Sequence, residues 1–172
     1  PERTVNSVIK LYQSLLAKGT DLKDILIVIA QNKGQYGTQT VNSQIQDVIN
    51  PNASDKLVYG NTEFRLGDPV IQCVNDYKSQ IYTEDTNFDL EEGNVLITNG
   101  DIGIITKILT GGLVVKFDDY LIYIPKDKLG NIKLAYAISI HKSQGGQAKY
   151  VIVIAPNSHT FMLNSNLLYV GI

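Results

Sequence analysis

The chain has 172 residues, 44% apolar and 19% charged, which suits one soluble domain or one domain with a small insertion. Its net charge of −2 offers no bulk attraction for nucleic acid, so any such site has to be local and built into a groove. A single cysteine excludes an internal disulfide and a thiolate metal site, and no apolar run approaches the roughly 18 residues that cross a bilayer. No signal peptide opens the chain, so a cytoplasmic location without a membrane partner is the default expectation.

Residues 4–18 predict a helix, with Val5, Val8, Ile9, Tyr12, Leu15 and Leu16 on one face, Thr4 as a cap and Gly19 as a stop. Next, ILIVIA over 25–30 is apolar at every position, as in a parallel-sheet strand buried on both faces. The loop QNKGQYGT over 31–38 leads into a second helix over 39–50, with Val41, Ile45, Val48 and Ile49 as its stripe and Pro51 at its end. Helix, buried strand, polar loop and helix form the grammar of an α/β layer whose working loops lie at the carboxyl ends of strands.

After Pro51 the pattern changes to short strands, over 69–75, 94–98, 102–109, 113–118 and 120–125. Asn99-Gly100-Asp101 and Thr110-Gly111-Gly112 supply turns, and the set predicts a small β-barrel. The acidic run over 83–93 reads as a solvated loop, since it lacks the alternation and the central glycine of a calcium loop. Two fully apolar runs, 134–140 and 150–155, then return to the first strand type.

Between those runs stands His141-Lys142-Ser143-Gln144-Gly145-Gly146. Gly145 and Gly146 permit a tight turn and close approach to a ligand, while Lys142, Ser143 and Gln144 bring a cation, a hydroxyl and an amide. That set suits an acceptor-rich anion such as phosphate; a plain strand-to-loop turn is an equal reading. Ser143 beside His141 makes no catalytic triad, because no acidic partner is evident. His141 reads either as a satisfied histidine beneath the loop or as a ligand contact.

The segment Ala135–Gly145 closely resembles motif V of superfamily 1 DNA helicases in the RecD/TraA-type branch, the exodeoxyribonuclease V alpha-chain-like enzymes. Ala30-Gln31-Asn32-Lys33-Gly34, with Gly37, Thr38 and Asn42, is similar to the family's motif IV region. FRLGDPVIQCVNDY over 64–77 and NGDIGII over 99–105 resemble the approach to its SH3-like insertion, and LLYVGI over 167–172 resembles the start of motif VI. The resemblance implies an α/β fold: a RecA-like second motor domain (2A) over 1–58 and 134–172, interrupted over 59–133 by a small SH3-like β-barrel (2B).

It further implies an ATP-dependent helicase moving 5′ to 3′ along single-stranded DNA. Lys142, Ser143, Gln144, His141, Lys33, Thr38, Asn42 and Tyr77 become the candidate DNA-binding residues, and Gly145, Gly146 and Gln147 the candidate nucleotide-facing ones. Many relatives carry an acidic residue where Gln147 stands, which sets a ribose contact there apart from the family pattern. Thr38 and Asn42 read equally as organisers of the helix start, and Tyr77 as packing on the barrel. Ser143 and Gln144 read alternatively as local caps.

No GxxxxGK[ST] occurs, so the phosphate cradle and the magnesium-holding acid are expected upstream of Pro1. ATP and Mg2+ are therefore cofactors of the whole enzyme. The chain itself is expected to be an inactive piece with no catalytic residue, no metal site and no bound cofactor, cut before the motif VI arginine. The implied partners are single-stranded DNA, an N-terminal motor domain of the same chain and other exodeoxyribonuclease V subunits. The competing class is a non-catalytic nucleic-acid or protein interaction module on the same fold. The helicase reading requires 134–140 and 150–155 to share one sheet, with the bend at its rim.

Overall fold

A computed structural model describes residues 2–29, 37–83, 91–143 and 148–154. Two compact units result, one from residues up to Pro51 together with those from Tyr136 onward, the other from Asn52–Ala135. The helices are α1 (Glu2–Ala17) and α2 (Thr38–Ile49). The strands are β1 (Ile25–Ile29), β2 (Lys56–Tyr59), β3 (Thr62–Arg65), β4 (Pro69–Gln72), β5 (Asp76–Ile81) and β6 (Glu91–Ile97). They continue with β7 (Ile102–Leu109), β8 (Gly112–Phe117), β9 (Tyr120–Pro125), β10 (Ile132–Leu134), β11 (Ala137–Ser139) and β12 (Tyr150–Ile154).

In the first unit, α1 buries Val5, Val8, Ile9 and Tyr12, the face its periodicity predicts. Gly19 ends the run at φ +82, and the Gly19 and Thr20 amides donate back to the Leu16 and Leu15 carbonyls. All five residues of β1 are buried, and β1 pairs in parallel with β11 on one side and β12 on the other. Ile27 and Ile29 join Val41, Ile45, Tyr136 and Ile154 in one core, where each fully buried aliphatic contributes about 1.5–3 kcal/mol. Tyr12 and Tyr136 meet edge to face within it, their centroids 6.4 Å apart. Burial pushes the Tyr12 phenol well above its ordinary range.

Two details differ from the sequence reading of this unit. On α2, Val48 is exposed, while Asn42 and Gln46 join Val41 and Ile45 in the buried face. The apolar run over 134–140 is not one strand: Leu134 ends β10, which pairs antiparallel with β4, and only Ala137–Ser139 joins the parallel sheet. Uniform burial from Ala135 to Ile140 hides that break, because both halves are covered although they serve different sheets.

The second unit is a curled antiparallel sheet of seven strands, in the order β10-β4-β7-β8-β9-β5-β6, with the two-stranded β2-β3 hairpin as a separate pair. Inward positions alternate along β9, where Ile122 and Ile124 are buried. They meet Phe64, Val70, Leu113, Val115, Phe117 and Leu129 in a second core. Gly103 and Gly112 lie where strands cross closely; a Cβ on Gly112 would run into the backbone of Ile124 and Pro125.

Candidate functional site

The three parallel strands finish together. Ile29 pairs with Ser139 and with Ile154, so the carboxyl ends of β1, β11 and β12 meet at one rim of the sheet. Open α/β sheets bind ligands at such a rim. The parts of the two flanking runs that form β11 and β12, Ala137–Ser139 and Tyr150–Ile154, therefore belong to one sheet.

At the end of β11 the chain turns through a single 3-10 turn, Ile140–Lys142. Ile140 is buried and anchors it, while His141 is exposed and Lys142 half-buried. Ser143 is buried; its amide donates to the Ser139 and Ile140 carbonyls, and its hydroxyl donates to the Ile140 carbonyl at 2.8 Å. The hydroxyl therefore caps the turn locally, one of its two sequence readings. Gln144, Gly145, Gly146, Gln147 and Lys33 lie outside the described residues.

Thr38 opens α2 after Gly37. One turn on, Asn42 points inward at 4% exposure. Its Nδ2 donates to the Thr38 carbonyl at 2.7 Å and to the Ala137 carbonyl at 2.7 Å, and its Oδ1 accepts from the Ala137 amide at 3.0 Å. Both amide hydrogens are thus engaged inside the protein. Tyr77 belongs to the second unit: it is 67% exposed, and its hydroxyl accepts from Asn75 Nδ2 at 3.1 Å. Asn75 Oδ1 in turn accepts from the Asn99 amide at 2.8 Å. The structure thus gathers His141, Lys142 and Ser143 into one turn, ties Asn42 to the strand that feeds it, and places Tyr77 elsewhere.

Among the described residues no cluster of three His, Cys, Asp or Glu side chains is placed to hold a metal, and no helix is long and apolar enough to cross a membrane. The Ala137 contact was not legible in the sequence, although a polar residue on the inner side of an amphipathic helix is a usable signal for a buried amide.

Residues 41–117 match the family described as the ATP-dependent RecD-like DNA helicase SH3 domain, and residues 134–172 match the UvrD-like helicase C-terminal domain. Through these two matches the chain is similar to the RecD-like DNA helicases. Its two units are accordingly an SH3-like domain and a helicase C-terminal domain of mixed α/β type. It is 27% identical over 148 residues to the ATP-dependent RecD2 DNA helicase of Deinococcus radiodurans, covering 86% of this chain and 18% of that protein. It is 28% identical to the RecBCD enzyme subunit RecD of Buchnera aphidicola, covering 81% of this chain and 21% of that protein. The chain thus spans about a fifth of the length of these curated relatives. A Bacteroides Pif1 helicase solved with ADP-AlF3 and single-stranded DNA superposes with a TM-score of 0.48 at 16% identity, over 84% of this chain and 37% of that one.

Proposed function

We propose that these residues form the second motor domain, with its SH3-like insertion, of an ATP-dependent DNA helicase that translocates 5′ to 3′ on single-stranded DNA. The division is 1–58 and 134–172 for the motor domain and 59–133 for the insertion. The observation that carries the reading is the turn Ile140–Lys142, set at the rim where three parallel strands end and rooted there by a buried isoleucine and a buried serine. A hydroxyl, an amide or a lysine at that rim meets phosphate without choosing a base, which suits a motor that passes over any sequence.

In this reading His141, Lys142 and Gln144 face the DNA backbone, Ser143 holds the shape of the turn, and Gly145, Gly146 and Gln147 face nucleotide. Lys33 and Tyr77 add DNA contacts, and Thr38 and Asn42 shape the start of α2. ATP and Mg2+ are held by an upstream motor domain, which supplies the phosphate cradle. Single-stranded DNA, that upstream domain and other exodeoxyribonuclease V subunits are the partners, in a soluble cytoplasmic enzyme of DNA repair and recombination.

The deciding experiment joins this segment to its upstream half and its full motif VI, then measures ATP turnover with and without single-stranded DNA. Stimulation by DNA, and unwinding of a duplex with a 5′ tail, are expected. Turnover indifferent to DNA, or Mg2+-dependent turnover by the 172 residues alone, would overturn the proposal.

A further inference from the structure

Strand β11 is the outermost described strand on its side of the parallel sheet. In a parallel ladder one residue turns both its N–H and its C=O to the same neighbour, and the next residue turns both the other way. Here Asn42 Oδ1 takes the Ala137 N–H and Asn42 Nδ2 takes the Ala137 C=O, both buried. A primary amide carries the same donor and acceptor pair as a peptide group, so the side chain stands where the next strand's peptide would be. Its second amide hydrogen bonds the Thr38 carbonyl in the first turn of α2. One side chain thereby joins the start of α2 to a strand that, two residues after Ala137, passes into the Ile140–Lys142 turn.

We propose that Asn42 is a positioning residue for DNA engagement. It fixes the His141-Lys142-Ser143 turn against the first turn of α2, so that both present themselves to the strand as one rigid surface. The inference rests on the helicase reading above and deepens it, because it names a side chain that acts on DNA only through others. Alanine at position 42 leaves the buried N–H and C=O of Ala137 without their partners. Aspartate keeps the shape and the acceptor but sets a carboxylate oxygen against the carbonyls of Thr38 and Ala137.

The test uses the whole helicase and a fluorescein-labelled oligo(dT), read by anisotropy. Asn42→Asp and Asn42→Ala are expected to weaken binding about tenfold, the effect of one buried hydrogen-bonded pair lost from a preorganised site. Lys142→Ala, harmful by itself, is expected to cost about twofold or less when added to Asn42→Asp, because the turn it would disturb is already displaced. Variants that melt normally and bind within about twofold of the parent overturn the inference and leave the helicase reading standing, as do strictly additive losses in the double variant. A parent enzyme that does not bind the oligonucleotide overturns the helicase reading and this inference together. Where the variants fail to fold, hydrogen exchange on the parent decides: saturating oligo(dT) is expected to slow exchange at the Ala137 amide, and an unchanged rate overturns the proposal.

Discussion

The two units close their sheets by opposite means. In the antiparallel unit two turns are closed by carboxylates only three residues away. The Asp101 carboxylate accepts from the Thr98 amide and the Thr98 hydroxyl, both at 2.7 Å, and Asp68 accepts from the Arg65 amide at 2.7 Å. Parallel strands cannot be joined by tight turns, and the other unit holds its outer strand by a longer reach. Asn42 and Ala137 are 95 residues apart in sequence, with the whole second unit between them. The lesson is a division of labour: short-range bonds shape turns of the antiparallel unit, and a long-range bond ties α2 to the strand that ends at the rim.

Substitutions that strike one kind of closure and not the other break or sharpen that contrast. The largest effect is expected from Gly112→Val, whose side chain meets the backbone of Ile124 and Pro125 rather than a movable side chain. A loss above about 3 kcal/mol, with amide protection falling along β8 and β9, is the expected result of thermal melting and hydrogen exchange. Next come Leu113→Ala and Ile27→Ala, both wholly buried, one in each core. Each should cost about 3 kcal/mol in urea denaturation, with protection lost first in the strands lining its own core.

Asp101→Ala removes the acceptor of two hydrogen bonds in a single turn and should cost about 2 kcal/mol, read from the denaturation midpoint. The smallest effect belongs to Glu63, which accepts from Arg65 Nε at 2.8 Å and sits 3.1 Å from Lys56 Nζ on the hairpin surface. The bond from Arg65 first, then that from Lys56, holds its carboxyl below the ordinary value of 4.5. A depressed carboxylate stabilises the fold above that ordinary value and ceases to as pH falls through the lowered one. Glu63→Gln should therefore cost at most about 0.5 kcal/mol near neutrality, with the gap closing in acid and in high salt.

Much of the first unit was legible because its physics is periodic. The α1 face and the all-apolar β1 are patterns that only burial rewards. The β7, β8 and β9 strands were readable for the same reason, with Gly111 marking one turn. The β2-β3 hairpin passed unread as a pair, although Gly60-Asn61 between two short runs is a turn signal and Gly60 takes φ +57. Strand β5 was hidden more deeply. Its one fully buried side chain is Ser79, at 1% exposure, so apolar alternation has nothing to report. At the rim, the glycines and polar residues announced a turn, but a motif cannot show how its hydroxyl is spent, and Ser143 spends its hydrogen on Ile140. The Asn42 bridge was illegible for another reason: nothing in α2 names a partner so far along the chain.

The outward-facing peptide of β11 carries a further implication, one of solubility. An unpaired strand margin is a template for a second molecule, and natural sheets blunt such margins with charge, proline or cover. This one is plugged by a single amide too short to be lengthened into a ladder. Because Ala137 and Asn42 are both buried, that cover hides the peptide from other copies of the chain as well as satisfying it.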